Sequence, residues 1–132
     1  PWELRLDLAL GRDAAMPAYL DRVPALQRAD DPDLRLARGE YIAMTTCNEC
    51  HGFGLRADSP WEDESAPDLI IIRAYDETAF RRLMREGIAI GDRELELMSP
   101  VARSRFAWFT DQEVADVYAF LTDMSRRAAE AQ

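Results

Sequence analysis

The 132 residues carry 25 Asp and Glu against 16 basic side chains, every one of them Arg, for a formal charge of −9 at pH 7. That balance opposes non-specific nucleic-acid binding and docking on anionic lipid, and without lysine any steering of a partner falls to arginine or acidic patches. The length suits one domain, or one domain with an extension, and no apolar run reaches the ~18 residues of a membrane span.

Residues 1 to about 30 show little regularity. Trp2, Leu4, Leu6 and Leu8 alternate with other residues, which suggests an extended stretch, and Gly11, Pro17 and Pro24 interrupt the residues after it. This part reads as an arm along the main body or as a linker. The chain opens Pro1-Trp2-Glu3 without an initiator methionine or a signal peptide, as a processed or truncated chain would. Asp31-Pro32 has the form of an N-cap followed by proline at the first helical position, predicting a helix from Pro32 to about Thr46. Leu34, Tyr41 and Thr45 fall on one side of it, and Gly39, Ile42 and Ala43 on another. A glycine at position 39 costs up to ~1 kcal/mol against alanine in a helix interior, which makes sense where a second helix crosses closely.

Cys47-Asn48-Glu49-Cys50-His51 holds both cysteines and the only histidine of the chain. This spacing is the attachment signal of a c-type haem. Two thiols three positions apart on a helix lie ~4.5 Å apart along the axis on nearly the same face, so each sulfur can form a thioether to one vinyl group of a single haem. The histidine directly after them can turn its ring onto the iron. Three plainer readings compete. A thioredoxin-like pair wants a βαβ setting, and no strand pattern precedes the motif. A zinc site would need carboxylates to complete its shell. A short disulfide would leave His51 unexplained.

Gly52, Gly54, Asp58, Ser59 and Pro60 mark a loop, continued by an acidic stretch around Trp61 and by Ala66-Pro67-Asp68-Leu69. Ile70, Ile71 and Ile72 suit a short strand or a buried loop. Asp76 can cap a helix with Tyr75 packing on Phe80; Phe80, Leu83 and Met84 form its apolar stripe and Gly87 its end. Residues 88–98 read as a loop. Thr110 and Glu113 form a capping box, with Phe109 able to pack on Val114, and Val114, Val117, Tyr118, Leu121 and Met124 recur at helical spacing.

With one histidine and no lysine, methionine sulfur is the remaining candidate for the far side of the iron. Met44 lies one turn before the motif, on the wrong side. Met84 and Met124 lie on core-facing stripes, and Met16 lies in the arm. Met98, followed by Ser99-Pro100, is the candidate; an open iron site is the alternative. A metal-bound histidine usually donates its other ring N–H to a carbonyl or carboxylate, and the carbonyl of Pro67 is a candidate, a plain turn proline being the alternative. Phe106, Trp108 and Phe109 could wall the haem from water or pack in the core.

Gly39 eight positions before Cys47, the Cys47–His51 motif, Ala66-Pro67-Asp68-Leu69, Met98-Ser99-Pro100 and Tyr118-Ala119-Phe120-Leu121 occur in the order of a class I monohaem cytochrome c domain, which the chain resembles over residues 37–124. The resemblance implies a mainly α, cytochrome c-like fold of three or more helices around one covalent haem c, with residues 1–36 as an N-terminal extension and 125–132 as a C-terminal tail. It implies that the first helix crosses the last with Gly39 near Phe120, that Cys47 and Cys50 carry the haem, that His51 and Met98 ligate iron, and that Pro67 accepts from His51. The expected function is one-electron transfer between redox protein partners, without substrate turnover of the chain's own. The alternatives are the haem-carrying subunit or domain of a larger periplasmic or membrane-associated redox enzyme, and a ligand-binding sensor. Haem attachment of this kind takes place outside the bacterial cytoplasmic membrane, so the expected location is periplasmic or membrane-tethered, with an anchoring segment preceding residue 1 as a further expectation.

Overall fold

A computed structural model of the chain describes residues 25–27, 33–57 and 66–131. The readings placed on residues 1–24, on Asp31-Pro32 and on the acidic stretch around Trp61 lie outside these. Helix α1 (Leu34–Thr46) starts at Asp33, whose carboxylate takes the Arg35 N–H at 3.0 Å. Its buried face is Gly39, Glu40 and Ala43, while Leu34, Tyr41 and Thr45 turn to solvent. Cys47 joins it to a single turn, α2 (Asn48–His51).

The structure corrects the sequence reading in three places. Leu69–Ala74 is a 3₁₀ helix, neither strand nor irregular loop, and of its isoleucines only Ile72 is buried. Asp68 sets this conformation by taking the Ile70 N–H at 2.8 Å, a local side-chain bond that overrides the strand preference of β-branched residues. Residues 88–98 are more ordered than a loop: β1 (Ile88–Ala89) pairs antiparallel with β2 (Arg93–Glu94). Gly91 and Asp92, both at positive φ, turn the chain between them. Met98, expected in a loop, is the first residue of a helix. Before this hairpin, α3 (Glu77–Glu86) is capped by Asp76, which takes the Ala79 N–H at 2.7 Å, and ends at Gly87 with φ +72°. After it come α4 (Met98–Ser104) and a short 3₁₀ turn, Phe106–Trp108. Pro100 fits α4 because it sits in the first turn, where its missing N–H has no partner to lose.

Helix α5 (Asp111–Glu130) closes the chain with the capping box of Thr110 and Glu113. Ser125 is buried, and Arg73 donates to its hydroxyl at 2.6 Å. Helix α1 crosses α5 at Gly39. A methyl group there would collide with the Asp116 carbonyl oxygen and come within 2.7 Å of Phe120 Cβ, so only glycine permits this approach. Beside the crossing the buried Asp116 carboxylate is held by Arg38 and Gln112, each at 2.7 Å, which compensates the cost of removing it from water. Ala43, Ile72, Phe80, Met84, Phe106, Val114, Val117 and Phe120 form the shared core. The Phe80 ring lies 5.6 Å from that of Tyr118, whose hydroxyl donates to the Tyr75 carbonyl, so α3 is fixed to α5 at its start. No described helix is long and apolar enough to cross a membrane.

Candidate functional site

Cys47 is both the last cap of α1 and the first cap of α2. Its N–H donates to Ala43 at 2.9 Å, and its carbonyl accepts from Cys50 at 3.3 Å and His51 at 2.9 Å. The motif is therefore one nearly continuous helical path, as two thiols that act on one flat ligand require. Neither cysteine is in a disulfide. Burial pushes the Cys47 thiol up, further than the hydrogen bond with Thr46 draws it down, so the sulfur is held as S–H. Among the described residues no three His, Cys, Asp or Glu side chains cluster so as to hold a metal ion.

After His51 the chain turns sharply at Gly52, whose φ is +84°. The turn returns the Ala57 N–H to the His51 carbonyl at 3.0 Å, with the Leu55 N–H bonded to Gly52 at 2.9 Å. Leu55, almost fully buried, has φ +59°, a left-handed conformation unusual for its branched side chain. From there the Leu55 carbonyl accepts the Leu69 N–H at 2.9 Å and brings the Ala66–Leu69 segment alongside the histidine. The Nδ1 atom of His51 lies 2.8 Å from the Pro67 carbonyl oxygen. A carbonyl only accepts, so Nδ1 carries the proton and Nε2 keeps its lone pair. Burial lowers the imidazole's affinity for a second proton, more than the Pro67 bond restores it, and so favours the neutral ring. A neutral imidazole with an unprotonated Nε2 is the form that ligates iron.

Met98 is half-buried at the start of α4 and packs against the core cluster, as Cys47 does. Ser99, fully buried beside it, was not singled out from the sequence. Its hydroxyl takes the Leu95 N–H at 2.7 Å and donates to the Gly87 carbonyl, so the N-terminus of α4 is tied to the end of α3. The Ser-Pro pair was the available signal, but nothing local in it points to Gly87. Arg105, after α4, pairs with Glu49 inside the motif at 3.2 Å, an ion pair between the Met98 segment and the cysteine motif. Of the three aromatics, Phe106 is buried and lies 5.4 Å from the Phe109 ring, and Trp108 is 84% exposed.

The donor set fits a covalent haem on its chemistry. Two thiols lie on one helical path, an oriented imidazole comes next, and Met84 is buried in the core, with Met44, Met98 and Met124 half-buried against it. A family model described as cytochrome c matches residues 36–125. Searches of curated proteins and of solved structures find no match.

Proposed function

Because the chain belongs to the cytochrome c family, whose members move electrons through a haem, we propose that it is a one-electron carrier holding a single haem c, with His51 and Met98 as axial ligands. One observation carries the reading: the His51 Nδ1–H donates to the Pro67 carbonyl, so that Nε2 is presented unprotonated directly after two thiols that form no disulfide. Attachment adds each S–H across a vinyl double bond, sulfur to one carbon and hydrogen to the other, with no net redox change. When bound, the haem supplies an iron couple that accepts and returns one electron. The protein's part is to hold the porphyrin rigidly, to exclude water with the Phe106 and Phe109 side of the core, and to fill both axial positions. A methionine opposite histidine stabilises reduced iron relative to two histidines. With haem attached in this way, the proposed location is the periplasm or a membrane surface facing it.

Reductive titration of the purified holoprotein is expected to be reversible, with a low-spin haem spectrum and no change on adding carbon monoxide. An irreversible response, or carbon monoxide binding, rejects the carrier with filled axial positions in favour of a ligand-binding module.

The family match leaves residues 1–35 unassigned, and this favours a second reading, the haem subunit or domain of a larger redox enzyme. A partner that co-purifies with the chain, and is lost when residues 1–30 are deleted, would select it. A monodisperse, fully competent monomer in both forms would reject it.

A further inference from the structure

The Pro67 carbonyl belongs to the planar peptide that joins Pro67 to Asp68, so whatever fixes Asp68 also fixes the direction of that oxygen. Asp68 is held through both carboxylate oxygens. Oδ1 takes the Ile70 N–H at 2.8 Å, and Oδ2 takes the Arg56 Nε–H at 2.7 Å. Arg56 in turn comes directly after the buried Leu55, whose carbonyl receives the Leu69 N–H at 2.9 Å. Two bonds therefore tie the two residues directly after Pro67 to the same neighbouring segment, one through backbone and one through an ion pair. The same segment closes on His51 through the Ala57 N–H at 3.0 Å. Proline has no N–H of its own, so the Pro67 peptide depends on its C-terminal neighbours for orientation. The Asp68 carboxyl is held below its ordinary range: burial pushes it up, but the Ile70 N–H and Arg56 outweigh burial.

We propose that the Arg56–Asp68 ion pair is a positioning device that aims the Pro67 carbonyl at the His51 Nδ1 proton and so sets how strongly the proximal imidazole donates to iron. Both side chains are partly exposed, 42% and 32%, and a pair of this kind contributes little to global stability. Its effect is on direction. An N–H that donates to a well-placed acceptor makes the imidazole more basic, and a more basic ligand favours ferric iron. Loosening the acceptor weakens that donation and raises the reduction potential. The proposal rests on His51 being the iron ligand.

The test is a double-mutant cycle on the holoprotein. The variants are Arg56→Gln, Asp68→Asn and the two together, and the double variant leaves net charge unchanged. The asparagine retains an oxygen for the Ile70 N–H. Solvent exchange of the His51 Nδ1 proton is read by NMR in the reduced protein, alongside the reduction potential. Each single variant is expected to exchange about tenfold faster than wild type, the double variant no faster than either single, and its potential is expected to rise. Wild-type exchange in any folded variant, additive effects in the cycle, or an unmoved potential in the charge-neutral double variant would overturn the proposal. Should the double variant fail to fold, exchange in either single variant decides. Intact mass and the absorption spectrum of the wild type come first. A chain without haem defeats the reading of His51 as ligand, whereas a haem-bearing chain with unmoved exchange defeats only the positioning role.

Discussion

Single side chains here act through the groups they hold in place. Ser99 offers one hydroxyl to two backbone groups, at half-buried Leu95 and buried Gly87, and stands next to Met98. Ser99→Ala leaves both unpaired, and unmade buried bonds cost about 1–3 kcal/mol. The expected outcome is a loss of that size in chemical denaturation, together with easier displacement of Met98 by carbon monoxide in the reduced protein. Met98→Ala is expected to retain the covalent haem but lose the six-coordinate low-spin form; an unchanged spectrum would show that another group fills that position. The five-residue motif was legible because its chemistry is written in consecutive residues. The Arg56–Asp68 pair was not, since it joins positions 12 apart whose meeting depends on the turn at Gly52 and the left-handed Leu55.

Among elements, the α1–α5 crossing determines where the motif sits, because α1 runs directly into Cys47. Gly39→Ala drives a methyl group into the Asp116 carbonyl and Phe120 Cβ, neither of which is the far end of a flexible side chain. The helices must part, at a cost of about 1–3 kcal/mol typical of overpacking, read as a lower denaturation midpoint. A wild-type midpoint would mean that the crossing relaxes freely. Thr110→Ala removes the α5 cap and should cost about 1 kcal/mol. Helix α5 was readable because its capping box and its 3.6-residue period are both local. The features missed had no comparable signal. Strands β1 and β2 are two residues each, too short to display alternation. Helix α4 has no side-chain cap and carries proline in its first turn. The run Ile70–Ile72 has strand-forming residues but obeys the Asp68 cap that precedes it.

For the molecule as a whole, the charge of −9 is distributed through many arginine–carboxylate contacts. Hydrogen bonding to Arg85 and the charge of Arg81 hold the Asp111 carboxyl low; the Thr110 N–H holds Glu113 low; and Asp68 is low despite its burial. Carboxyls with depressed values in the folded state stabilise it above their unfolded values, and that contribution is lost as pH falls through the folded ones. The denaturation midpoint is therefore expected to fall as pH is lowered below about 4, the ordinary carboxylate range, and a midpoint flat through that range would contradict this. Because these pairs are exposed, the effect of each is small, and their sum is what the titration reads.

The roles proposed for His51 and Met98 depend on a porphyrin joined to Cys47 and Cys50. Intact-mass spectrometry of protein matured in an exporting bacterial host tests this most directly. The mass expected is that of the 15.0 kDa polypeptide plus one haem, surviving denaturation and acid-acetone extraction. A mass equal to the bare polypeptide would contradict the account.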